Sequence, residues 1–193
     1  MQDFYLYFTL GIEHLTDLAG YDHILFLTVL CGIYELRDWK KILFLITAFT
    51  LGHSLTLILC VYDKVNLPTV WIEFFIPVTI LIAACYNIFQ KNSKQVNINF
   101  RYASTVLFGL IHGMGFSNYL RNFLSPEDGI VTKLLAFNVG LEAGQIFIVM
   151  IVLAISFIVL QVFKAPRKDW TLFLSSAILG IALIMAIERF PGT

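Results

Sequence analysis

Six stretches of the sequence, at 20–36, 42–62, 68–90, 102–124, 131–163 and 169–190, are apolar over roughly the 17–25 residues that a helix needs to cross a bilayer. This constrains the fold more than any other feature. In hydrocarbon every backbone N–H and C=O must find its partner inside the chain, so such stretches fold as helices packed side by side. The connections between them are short, and the longest, at 91–101, is polar. The expectation is an all-α, polytopic membrane protein of about six transmembrane helices in a single domain spanning 1–193. Residues 4–19 are half polar and read as an amphipathic or re-entrant segment leading into the first span. The fifth stretch exceeds one crossing and should tilt, kink or project.

Composition removes the main competing classes. The chain is 59% apolar and 13% charged, against about 45–50% and about 25% in soluble domains. Its mean hydropathy is +0.81. A water-soluble enzyme could not hide that surface, and disorder requires the opposite composition. Thirteen basic residues balance thirteen acidic ones, so no global basic field invites nucleic acid. No GxxxxGK(S/T) loop is present for a nucleotide. Cys31, Cys60 and Cys85 stand far apart in apolar stretches and suit neither a disulfide framework nor a thiolate zinc site. Met1-Gln2-Asp3 has no basic n-region, so no cleaved signal peptide is expected.

The basic residues set an orientation. Arg37, Lys40, Lys41, Lys91, Lys94, Arg101, Lys164, Arg167 and Lys168 fall on one side, and Lys64, Arg121, Lys133 and Arg189 on the other. The richer side is read as cytoplasmic, which places both termini outside.

Against this apolar background the polar residues inside the spans are costly, at least about 2.5–3.5 kcal/mol for an ionisable group near the bilayer centre. All four histidines, His14, His23, His53 and His112, lie in or beside apolar stretches. Glu13, Asp17, Asp22, Glu73, Asn138, Glu142 and Gln145 accompany them. Counting about 1.5 Å per residue places nearly all of these groups in the outer half of the bundle, with His112 near the middle of its span. Independent structural accidents would scatter in depth, whereas a shared site would not.

Each group alone also has a plain structural explanation. One intramembrane histidine is often just a hydrogen-bonded core residue, and Glu73 suits an interfacial acid. Asn138, Glu142 and Gln145 share one helical face, where hydrogen bonding between helices would account for them. Gly140 and Gly144 form a GxxxG step for close helix packing, and offer a contact for a homo-oligomer. The glycines of His112-Gly113-Met114-Gly115-Phe116 lower helix propensity. On a straight helix His14 and His23 would point about 180° apart at 100° per residue. A break near Ala19-Gly20 would bring them together. Imidazole with carboxylate and without thiolate suits a divalent transition ion such as Ni, Co, Cu or Zn, and the neighbouring acids suit the outer partners that orient ligating histidines.

Four ordered motifs resemble one known family. Gly11-Ile12-Glu13-His14 with Gly20-Tyr21-Asp22-His23-Ile24-Leu25-Phe26-Leu27 resembles the opening signature of HupE/UreJ membrane proteins. Thr47-Ala48-Phe49-Thr50-Leu51-Gly52-His53-Ser54-Leu55-Thr56-Leu57 resembles their second motif. Phe108-Gly109-Leu110-Ile111-His112-Gly113-Met114-Gly115-Phe116 and Phe137-Asn138-Val139-Gly140-Leu141-Glu142-Ala143-Gly144-Gln145 resemble the third and fourth. The resemblance implies a nickel or cobalt permease, or an accessory protein of hydrogenase and urease maturation, in a bacterial inner membrane. It also implies His14, Asp22, His23, His53, His112 and Glu142 as the metal-handling positions. Glu13, Asp17, Glu73, Asn138 and Gln145 are expected around them.

Two activities compete. A permease would capture a divalent ion at His14, Asp22, His23 and His53 and pass it deeper to His112 and Glu142, the carboxylates offsetting its charge. An intramembrane zinc hydrolase would use the histidines to hold the ion, Glu142 or Asp22 as general base and Ser54 near the oxyanion. A third reading is a non-catalytic accessory subunit whose glycine and aromatic faces bind partner helices.

Overall fold

A computed structural model describes residues 2–90, 98–121 and 130–192. Seven α-helices account for most of them: α1 (Gln2–Thr16), α2 (Asp22–Cys31), α3 (Trp39–Val61), α4 (Thr69–Phe89), α5 (Ile98–Arg121), α6 (Ile130–Phe157) and α7 (Arg167–Glu188). There is no strand among the described residues. Four segments are long and apolar enough to cross a membrane by length and composition, namely Leu36–Val61, Thr69–Phe89, Ile130–Val162 and Arg167–Glu188. Large apolar side chains on the outer surface, including Phe44, Leu51, Phe147, Met150, Phe173 and Ile184, are exposed as a lipid-facing surface requires. The protein is a polytopic helical bundle.

Helix ends follow local chemistry. Pro68 and Pro166 stand immediately before α4 and α7, where a fixed φ and a missing N–H cost nothing. Asp63, with φ 54°, turns the chain after α3. The long fifth stretch is one helix that ends in a π turn over Ile158–Val162, so part of its excess length is taken up by local unwinding.

The N-terminal third differs from the sequence expectation of six spans preceded by a separate amphipathic piece. Residues 20–36 do not form one helix. Instead α1 and the ten-residue α2 are joined through a 3₁₀ turn at Leu18–Gly20. Gly11 packs against the α6 backbone at Phe137 and Leu141, and Leu15 against Gly144, so α1 runs parallel to α6. The start of α2 lies beside Arg189 at the end of α7, and its Val29 carbonyl accepts from Asn87 near the end of α4. Thus α2 continues in the direction of α1. Together they make one discontinuous strut of about 22 Å plus about 15 Å. At the break the Gly20 N–H donates to the Asp17 carbonyl at 3.2 Å, so the turn satisfies part of its own freed backbone.

Three helix pairs dominate the packing: α1 with α6, α3 with α5, and α4 with α7. The first two are glycine-mediated. A Cβ on Gly140 would strike the Phe8 carbonyl, and the Gly140/Gly144 face is taken by α1 of the same chain. A Cβ on Gly109 would strike the Phe49 carbonyl, and one on Gly113 the His53 carbonyl and the Thr56 hydroxyl. The α3 and α5 backbones therefore nearly touch, parallel, beside His53. The third pair is antiparallel, with Phe74 against Phe190 at 5.4 Å and Asn87 bonded to Ser175 at 3.3 Å.

At the end of the bundle carrying Arg37 and Arg167, Arg101 is a correction to the orientation count. It was placed in a loop, yet it lies inside α5 and is 3% exposed. Its guanidinium donates to Asn87 Oδ1 at 2.6 Å and to the Leu30 carbonyl at 3.4 Å, between the rings of Tyr34 and Tyr86. Lys91 and Lys94 of the same count lie outside the described residues.

Candidate metal centre

The break between α1 and α2 explains how two histidines that oppose each other on a straight helix come together. His14 ends α1, His23 opens α2, and their ring centroids are 4.7 Å apart. His53 and His112 arrive from α3 and α5, each about 21 Å along its helix. His14 lies 5.9 Å from His53, and His23 lies 4.5 Å from His112, centroid to centroid. Asp22 comes with His23 in the first turn of α2. Four helices thus deliver four imidazoles and one carboxylate to a single locus.

The ligand atoms fall into two overlapping groups, His14/His23/His53 and Asp22/His23/His112, and within each they lie within 4.8 Å of one another. His23 belongs to both. An ion bound at about 2.1 Å holds its ligands about 3.4 Å apart in a tetrahedron and about 4.2 Å apart across a square plane. The observed spacing therefore needs only small side-chain rotations to close on an ion.

The hydrogen-bond inventory supports the same fit. Both ring nitrogens of His23 and His53, and Nε2 of His14 and His112, are buried without a hydrogen-bond partner. Buried polar atoms are nearly always paired, and each orphan costs about 1–3 kcal/mol. Six orphaned nitrogens in one locus are what ligands awaiting a cation look like. His112 Nδ1 lies 3.2 Å from the Phe108 carbonyl. A carbonyl only accepts, so this contact puts the proton on Nδ1 and leaves the Nε2 lone pair for a ligand.

Asp22 is held from two directions. Its Oδ1 accepts from the His23 amide at 2.9 Å, and its Oδ2 lies 3.5 Å from the Arg189 guanidinium. His23 Nδ1 is 3.1 Å from Oδ1, close enough for attraction but unaligned for a hydrogen bond. In the sequence Arg189 counts only among the four basic residues of the side opposite the cation-rich one. Its one sequence signal, a lone basic residue at the end of the last apolar stretch, does not reveal a partner 167 positions earlier.

Aromatic rings complete the walls. Phe116 lies 3.9 Å from His14, and Phe137 is stacked with His53 at 6.1 Å. Beneath the histidines Phe26 stacks on Phe108 at 3.4 Å, with Phe49 at 5.9 Å from Phe26, all fully buried. These three rings form an aromatic floor between the centre and the Arg101 end.

The remaining candidates sit farther out. Glu13 and Asp17 are exposed near the break and Glu73 is exposed on α4. Neighbouring helical residues point about 100° apart, so an acid next to His14 in sequence is carried away from it. Gln145 is fully buried and accepts from the Thr50 hydroxyl at 3.0 Å. Since α3 and α6 run in opposite directions, one turn beyond that pair brings half-buried Glu142 level with His53, yet Glu142 belongs to neither ligand group. Asn138 is half-buried with an unpartnered Oδ1. The Ser54 hydroxyl donates to the Thr50 carbonyl at 2.6 Å and is occupied by its own helix.

A bundle of apolar helices enclosing a buried histidine and aspartate cluster defines a polytopic membrane protein with a centre able to hold a metal ion. A family model described as HupE / UreJ protein matches residues 1–189, and the chain belongs to that family. No curated protein and no solved structure matches it significantly.

Proposed function

We propose that this protein is a permease for a divalent transition-metal ion of the Ni, Co, Cu or Zn class. The observation that carries the reading is the set of orphaned imidazole nitrogens at ligand spacing on a discontinuous helix. Broken helices that bring a polar site into the bundle are the recurring device of transporters. The ion is the cargo. It enters from the end where α1 begins, and His23, common to both ligand groups, passes it from His14 and His53 toward Asp22 and His112. Two overlapping groups give the multiple, individually leavable positions that conduction requires. The aromatic floor then serves as the closed gate of this state. The membrane is the inner membrane of a bacterium, with both termini outside.

A second reading, an intramembrane metal-dependent hydrolase, is favoured by the same floor, because a hydrolase needs no passage through Phe26, Phe49 and Phe108. There Asp22 is the available base. Elemental analysis of purified wild type against His23→Ala and His53→Ala comes first. Unchanged metal content in both variants sinks every metal reading. Proteoliposome uptake with Ni, Co, Cu and Zn then decides: flux supports the permease, and bound metal without flux supports the hydrolase.

A further inference from the structure

The end of the bundle opposite the histidines holds a second polar feature that metal handling does not use. A cavity of about 670 Å³ opens there, lined by the cations Arg37, Lys41, Arg167 and Lys168, the acid Asp38, and Tyr34 and Asn87, together with further polar and aliphatic side chains. A water occupies about 30 Å³, so the space takes a group far larger than one ion.

We propose that this cavity binds the phosphate group of an anionic membrane phospholipid. Tyr34 lines it, is 5% exposed, and its hydroxyl has no hydrogen-bond partner. Behind Tyr34 and Asn87 stands Arg101. Its hydrogen-bond partners among the described residues are neutral oxygens, and its Nε is buried without one. A buried guanidinium facing only neutral groups lacks its counter-charge. An anion in the cavity would supply that charge across one layer of side chains.

The rim points the same way. Glu35 pairs with Arg37 and Arg167, and Asp38 pairs with Lys41. These acids offset part of the positive charge, and Lys168 and Arg101 leave an excess of cations. The aliphatic part of the lining, Ile33, Ile88, Ile98 and Leu172, favours a lipid over free phosphate. It offers a path for acyl chains where the helices meet the membrane surface, and basic pockets between helices at that level suit anionic headgroups.

The test uses the full chain in neutral detergent, titrated with phosphatidylglycerol, phosphatidylcholine or inorganic phosphate, with lipid adducts read by native mass spectrometry and stability by thermal unfolding. Phosphatidylglycerol is expected to bind and to raise the unfolding temperature, and the other two to do neither. Arg37→Gln, at an exposed position of the rim, should weaken phosphatidylglycerol by about 2- to 10-fold. Lys168→Gln, at an exposed position that folding does not need, should weaken it as well. Equal binding of phosphatidylcholine, or wild-type affinity in both variants, overturns the proposal. Protection by inorganic phosphate matching that by phosphatidylglycerol overturns the lipid assignment.

Discussion

His14 and His23 face each other at 4.7 Å across a break that ends one helix and begins the next. The contact depends on the length of the connection, because each residue added to or removed from a helix end turns the following side chain by about 100°. Deleting Leu18, an exposed residue of the 3₁₀ turn, should therefore separate the two rings. The expected outcome is a folded protein, by gel filtration in detergent, whose metal content falls at least as far as in His14→Ala.

His23 is the only residue in both ligand groups, which sets an order among the histidine variants. His53→Ala leaves Asp22/His23/His112 intact, and His112→Ala leaves His14/His23/His53. Each should keep part of the metal, while His23→Ala should match the His53→Ala/His112→Ala double variant. Elemental analysis after dialysis checks this, and equal losses in all three single variants would refute a divided centre.

Arg189 reaches Asp22 from the end of α7 without joining either group. Partners that orient ligands are worth about 10- to 100-fold in metal affinity. Arg189→Gln should lower affinity by about 10-fold, and Arg189→Lys by less, in competition with a chromogenic chelator. The same titration on Asp22→Asn should show the larger loss.

The glycine contacts make a paired prediction about stability. Gly109→Ala places a methyl group into the Phe49 carbonyl and must push α3 from α5, at about 1–3 kcal/mol. Gly180, with open space around it, gains about 0.5–1 kcal/mol of helix propensity when changed to alanine. Thermal unfolding in detergent should move down for the first and slightly up for the second. Metal content should fall only for Gly109→Ala, since His53 and His112 ride on the two displaced helices.

The aromatic floor gives a test of the transport reading. Phe26→Leu removes the ring stacked on Phe108 while keeping an apolar side chain of moderate size. If the floor is a gate, metal uptake into proteoliposomes should rise severalfold with metal content unchanged. An unchanged rate, with wild type itself active, would place the gate elsewhere.

Much of this was legible along the chain. The apolar runs marked α3 through α7 to within a few residues, because the length of a membrane-crossing helix is set by the hydrocarbon and not by its neighbours. The four histidines stood out because burial there is costly. Arg101 was misplaced for a related reason: its flanking sequence is polar enough to look like a loop, and its burial rests on Asn87 Oδ1, the Leu30 carbonyl and the Tyr34 and Tyr86 rings, which come from other helices and turns. Arg189 and the Thr50–Gln145 bond could not be found by spacing at all, since both partners come from distant helices.

By itself the sequence determined that the chain is a helical membrane bundle and that its histidines are too expensive to be incidental. Both follow from local composition acting against hydrocarbon. The tertiary structure alone decided that α1 and α2 form one broken strut, that Gly109 and Gly113 let α3 and α5 pack closely enough to deliver His53 and His112 to one locus, and that His23 sits where two ligand groups meet. Those outcomes depend on which helix faces pack together, and that is set by side chains far apart in the chain.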